Sequence, residues 1–268
     1  MRIRRVRTSH GPSASLFILT LALVAFANGA AALPHARTQA QTQQQQTPTE
    51  VVREHYRAMR ERRYRDAFAL TVYGPAFEKL KEDELAELQP DFERVASAIP
   101  ADIVTTGEQI SGDEATVFLK LGTDAEPKIE PVSLLRERGG PWVLGNRNDA
   151  EAVKKSGKKF FFETRIEVHH AEVEAMLRRI QTVEAIYASQ NSGRFGDLQQ
   201  LVSAGLVPAD ILATDSTGYR FRVQTVDGGK SYAAWAEPAR YGRTGRLSFY
   251  ADATGLRKDD KGGKPLKK

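Results

Sequence analysis

Twice along this chain the spacing of apolar residues changes from the helical period to the strand period of two. That double change constrains the fold more than any single motif. In the first stretch, Val52, Tyr56 and Met59 recur at helical spacing with charged residues between them, the pattern of a helix with one buried face. Tyr64, Ala67 and Phe68 mark a second helix, and Phe77, Leu80, Leu85 and Leu88 a third after Gly74-Pro75. Thr47-Pro48-Thr49-Glu50 puts Thr at the N-cap, Pro at the first helical position and Glu at the third, a capping box that fixes where the first helix begins. From Ile103 the period becomes two. Residues 103–110 and 115–121 flank Ser111-Gly112-Asp113, and residues 132–138 and 141–145 flank Gly139-Gly140, so two hairpins are expected. Helices first and antiparallel strands afterwards is an α+β order.

The same order then recurs. Ile166, Val173, Leu177, Ile180 and Tyr187 form one helical stripe, widened by Met176 and Val183, on a long helix that begins near Glu163 and stops at Asn191-Ser192-Gly193. Asp197 caps a short helix through Leu198, Leu201 and Val202, and Gly205 closes it. Residues 218–223 alternate as a strand, turn at Asp227-Gly228-Gly229 and return over 231–236. A third strand over 247–251 turns at 252–255 into a short fourth.

The ends of the chain have a different composition. Residues 1–32 have the three parts of a secretory signal peptide: Arg2, Arg4, Arg5 and Arg7, an apolar run from Leu16 to Ala27, and Ala30-Ala31-Ala32 before Leu33. The alternative is an uncleaved inner-membrane anchor over residues 14–33. Residues 33–47 are Gln- and Thr-rich and read as a disordered tether. Residues 147–162, with Lys154-Lys155-Ser156-Gly157-Lys158-Lys159, read as a basic linker, and residues 259–268 as a Lys-rich disordered tail. The formal charge of +5 therefore resides at the ends. Without the four leader arginines and the net +4 of residues 257–268, the remainder carries about −3. A basic isoelectric point is thus no sign of nucleic-acid binding. Cysteine is absent, which removes disulfides, thiolate nucleophiles and Cys-ligated metals.

Residues 47–56 (Thr-Pro-Thr-Glu-Val-Val-Arg-Glu-His-Tyr), 64–68 (Tyr-Arg-Asp-Ala-Phe) and Trp142-Val143-Leu144 resemble the nuclear-transport-factor-2-like family in its exported bacterial branch. The resemblance implies a cone-like domain over 48–146, a curved antiparallel sheet around helices with a pocket between them. Enzymes of that family place Asp and His in the pocket, which makes His55, Tyr56 and Asp66 the pocket candidates. Residues 177–187 (Leu-Arg-Arg-Ile-Gln-Thr-Val-Glu-Ala-Ile-Tyr), Gly193-Arg194-Phe195-Gly196, Gly218-Tyr219-Arg220-Phe221 and 241–250 (Tyr-Gly-Arg-Thr-Gly-Arg-Leu-Ser-Phe-Tyr) resemble the globular part of type IV pilins and pseudopilins. That implies a long helix packed on an antiparallel meander over 163–258. No prepilin-type site precedes the helix, which argues against assembly into a pilus.

No catalytic set, cofactor or metal site is expected. His55 is also explained as a boundary histidine, and Asp66 as a helix-start residue. Glu163, Glu167, His170 and Glu174 share one stripe, but without matching ligands they read as a solvated face on which Glu174 pairs with Arg178. Gly242-Arg243-Thr244-Gly245 reads as a turn, and no G-x-S-x-G, P-loop or H-E-x-x-H motif occurs. These readings lead to an exported, periplasmic or secreted, non-catalytic binding or scaffolding protein of the bacterial cell envelope. Its partners are an unknown small ligand or envelope protein and not nucleic acid, with a weak membrane-surface contact through the tail. The alternatives are a lyase or isomerase using the first domain's pocket, and an accessory component of a pilus or secretion machine.

Overall fold

A computed structural model describes residues 46–122 and 127–267. The expected signal peptide, and all but the last two residues of the expected tether, lie outside the described residues. The fold is α+β, and the chain divides into two compact units between Lys158 and Lys159.

The first unit opens with α1 (Pro48–Arg60), α2 (Tyr64–Ala69), α3 (Gly74–Phe77) and α4 (Glu82–Ser97). The capping box is formed as the sequence predicts. The Thr47 N–H donates to Glu50 Oε2 at 2.7 Å, and the Glu50 N–H donates to Thr47 Oγ1 at 3.3 Å. The predicted third helix is in fact two, because Lys81 is extended and its N–H donates to Glu84, starting a new helix. Phe68, Phe77 and Phe92 bring α2, α3 and α4 together, with Phe68 stacked on Phe77 at 4.5 Å between ring centroids.

Strands β1 (Val104–Ser111), β2 (Glu114–Gly122), β3 (Pro127–Leu135) and β4 (Val143–Leu144) then form an antiparallel meander in chain order. Val117, Leu119 and Leu121 on one face of β2 are buried. The opposite partners of these three on β3 are Val132, Glu130 and Lys128, so a carboxylate shares the apolar face. Short β4 is tied to the α2–α3 junction, where Leu144 N–H donates to Leu70 O and Val72 N–H to Leu144 O, both at 2.8 Å.

Residues 147–162 are not a linker. Helix α5 (Arg147–Ser156) occupies most of them, capped by Asn146, whose Oδ1 accepts from the Asp149 N–H at 3.0 Å. Asp149 in its first turn and Lys154 and Lys155 in its last suit the helix dipole, and Val153 is its buried anchor. Gly157, at φ +54°, ends it.

The second unit starts with α6 (Phe160–Gln190), a turn earlier than Glu163, with Phe161 and Phe162 buried. Helices α7 (Leu198–Ser203) and α8 (Thr214–Thr217) precede strands β5 (Tyr219–Val226), β6 (Ser231–Pro238), β7 (Leu247–Asp252) and β8 (Gly255–Asp260), again an antiparallel meander in chain order. The row Val223, Ala234, Ala251, Leu256 runs across the sheet and packs in one core with Val173, Leu177, Ile180 and Val183 of α6. Alanines at the sheet centre let the helix approach closely. The expected disordered tail is also corrected. Residues 259 and 260 complete β8, and 261–267 turn back at Gly262 and Gly263, both at positive φ, over the opposite face of the sheet. There Trp235 Nε1–H donates to Leu266 O at 3.1 Å and Arg257 to Lys267 O at 3.3 Å.

Gly218 ends α8 at φ +67°, and a Cβ there would stand 2.5 Å from the His169 ring. Gly205, at φ +68°, has nothing within 4 Å of the same position. Gly205→Ala therefore carries only the left-handed backbone cost of about 1 kcal/mol, whereas Gly218→Ala adds a clash and is expected to cost at least about 2 kcal/mol. Denaturant unfolding followed by Trp235 fluorescence in a Trp142→Phe background reads the second unit alone. Equal losses for the two variants would remove His169 as the cause.

Candidate functional site

The pocket candidates in the first unit do not assemble as one set. His55, on the buried face of α1, is 6% exposed. Its Nδ1 lies 3.0 Å from Ala67 O, and since a carbonyl only accepts, Nδ1 carries the proton. Burial holds the imidazole below its ordinary pKa against the opposing effect of that hydrogen bond. His55 is thus a neutral tie between α1 and α2. Asp66 stands at the surface, its Oδ2 accepting from Arg63 Nη1 at 2.7 Å, and Arg63 also binds Glu54 and Glu61. The structure brings His55 and Tyr56 edge to face, 5.3 Å between ring centroids, and leaves Asp66 outside.

Tyr56 has a different neighbour, which sequence reasoning missed. Its phenol is pushed up to about 12, first by burial and then by the charge of Glu130. Glu130 sits on β3 directly opposite Leu119, on the apolar side of the sheet, and its Oε2 is buried and accepts no hydrogen bond among the described residues. Lys128 is the nearest cation, at 3.7 Å. A phenol that stays protonated at neutral pH donates hydrogen bonds but does not serve as a base. Tyr56 and Glu130 are thus a buried phenol and a carboxylate close enough to influence one another beside the apolar face of β2. The alternation Lys128, Glu130, Val132, Leu134 carried the signal, obscured by Pro127 and Pro131, which suit an edge more than a central strand.

In the second unit, three polar side chains of α6 point inward. His169 Nδ1–H donates to Thr244 O at 2.7 Å. His170 Nε2 accepts from the Arg246 and Leu247 N–H groups at 3.1 and 3.2 Å, which requires that nitrogen to be unprotonated. Desolvation, the largest influence, lowers its pKa accordingly. The expected solvated stripe is therefore split. Glu174 does pair with Arg178 at 2.8 Å and with Lys258 at 2.7 Å, while His170 joins α6 to β7. Among the described residues, no group of three or more His, Asp or Glu side chains is placed to hold a metal ion.

No protein-family model, curated protein or solved structure matches the chain.

Glu184 is wholly buried. Its Oε2 accepts from the Gly196 N–H at 3.0 Å, and Oε1 has no partner among the described residues. Burial pushes the carboxyl up from 4.5 to about 7. Between those two values the folded unit keeps a proton that the unfolded chain gives up, so stability falls as pH rises through that window and levels above it. Glu184→Gln keeps an acceptor for Gly196 and removes the charge. The stability of the variant relative to the native chain is expected to rise by about 1–3 kcal/mol from the bottom of that window to the top. Urea unfolding across the pH series checks this, and a difference that does not change with pH contradicts it.

Proposed function

We propose that this chain is an exported, non-catalytic binding or scaffolding protein of the bacterial cell envelope. In this reading the first unit is a nuclear-transport-factor-2-like pocket domain and the second a pilin-like globular domain that stays out of fibres. The observation that carries it is the occupation of the pocket candidates by structural work. His55 donates to a carbonyl of α2, Asp66 is held at the surface by Arg63, and Tyr56 is too weak an acid to exchange protons near neutrality.

The order of elements in each unit, helices followed by a four-stranded meander, is compatible with both family resemblances. Against a pilus component stands the burial of Val173, Leu177, Ile180 and Val183 beneath their own sheet. That stripe is the surface a fibre contact would use. In this reading the Tyr56 phenol and the Glu130 carboxylate are the groups with which the first unit would bind a small ligand without chemistry.

Two measurements test the proposal. After expression of the full chain in a Gram-negative host, mass spectrometry is expected to find an N-terminus at Leu33 in the periplasmic fraction. A membrane-bound chain with its leader intact would instead favour the anchor alternative. Tyr56→Phe removes the phenol and keeps the packing. Any lyase or isomerase turnover by the purified chain that disappears in this variant overturns the non-catalytic reading.

A further inference from the structure

Across the outer face of the second sheet, Arg222, Trp235, Tyr250 and Arg257 stand opposite one another on β5, β6, β7 and β8. The Arg222 guanidinium lies 4.6 Å from the Trp235 ring and that of Arg257 4.5 Å from Tyr250, while the two rings meet edge to face at 5.5 Å. Residues 261–267 cross beside this row, held by the Trp235–Leu266 and Arg257–Lys267 hydrogen bonds. Between this returning segment and β8 lies an open groove of about 720 Å³ lined by Arg257, Lys258, Lys261, Lys264 and Lys267, with Asp259 as its one carboxylate and Pro265 and Leu266 as its apolar part. Lys258 is taken by Glu174 and Lys261 by Asp259. Among the described residues, no carboxylate pairs with Arg257, Lys264 or Lys267. Three cations therefore face one groove, although the rest of the folded part is slightly acidic.

We propose that this groove binds a linear phosphate polymer. Lysine ammonium groups are compact charges with rotatable donors, which suit successive phosphates along a flexible chain and make no bidentate demand on geometry. A trough fits a strand better than the flat face of a bilayer, and Pro265 and Leu266, its only apolar lining residues, are too few to anchor it in lipid. Trp235 and Tyr250 already carry arginines on their rings, so no free aromatic platform is present there for stacking bases. The proposal concerns the second unit alone and does not depend on the compartment or on the role of the first unit.

The test uses the purified full chain and a fluorescently labelled linear polyphosphate, with binding read by anisotropy. Inorganic phosphate, single-stranded oligothymidylate and phosphatidylglycerol vesicles serve as competing probes. Polyphosphate is expected to bind, to weaken steeply as salt rises, and to be displaced poorly by the other three. Lys264→Glu with Lys267→Glu is expected to weaken binding at least about tenfold, and Lys264→Gln with Lys267→Gln by an intermediate factor. Lys154→Glu with Lys155→Glu, an equal charge change on α5, is expected to stay within about twofold of the native chain. Trp235 fluorescence and thermal unfolding verify that each variant keeps its fold. Equal losses from the α5 and groove variants would mean that net charge alone attracts the polymer, and would overturn the site. Equal or tighter binding of vesicles or oligothymidylate would replace the proposal with a membrane or nucleic-acid surface. No polyphosphate binding at low salt would end it.

Discussion

The structure depends on finding partners for loop main-chain groups in a protein that has no cysteine to pin its loops. A buried N–H or C=O without a partner costs as much as a lost hydrogen bond. Polar side chains on helices supply the missing partners. His55 takes up Ala67 O at the end of α2, His169 takes up Thr244 O, His170 accepts from two amides entering β7, and Glu184 accepts from Gly196. Each of these side chains would attract attention as a reactive group in isolation. In place, His55 ties α1 to α2, and the other three hold loops against α6. These contacts secure main-chain groups without the disulfides that a chain lacking cysteine cannot form.

Such use of polar residues has a side effect on titration. A histidine whose Nε2 must accept two amides is held neutral by the geometry around it. A glutamate with one oxygen satisfied by an amide and the other by nothing keeps its proton to near neutrality. The two act in opposite directions: acid disfavours the His170 arrangement, and base disfavours the Glu184 one. Their pH ranges overlap, so across the shared range the two effects offset one another.

The parts of the fold legible in the sequence were those set by near neighbours. The capping box at Thr47, the Ser111-Gly112-Asp113 turn and the α6 stripe each depend on residues within a few positions of one another, so their meaning survives without a structure. Contacts across long separations were illegible. Nothing local says that Glu130 faces Tyr56, since two prolines blur the strand that carries it. Nor does anything near His170 reveal the amides 76 and 77 residues away. Helix α5 was hidden for another reason: its lysines and glycine have the composition of a linker, and only Val153 is buried on it. The candidate site suffered most. His55 and Tyr56 are buried on α1, whereas Asp66, named with them on the family resemblance, lies at the surface bound to Arg63.

The carboxyl-terminal residues show why composition alone misleads at a chain end. Lysine-rich segments with glycines are usually solvated because they have nothing to bury. Here the burial is supplied by the sheet. Trp235 and Tyr250 occupy the outer face of β6 and β7, where an uncovered indole N–H and ring would be left against water. The returning segment gives Trp235 a carbonyl acceptor, and Arg222 and Arg257 cover the rings. A chain recruited to cover aromatics in this way brings its lysines with it and fixes them along β8. Charges that would be diffuse on a free tail are thereby concentrated along one groove, and a concave, one-signed surface raises the local concentration of oppositely charged chains more than the same charges dispersed in solution. The net charge of the chain does not show this, because what matters is where the sheet holds those cations.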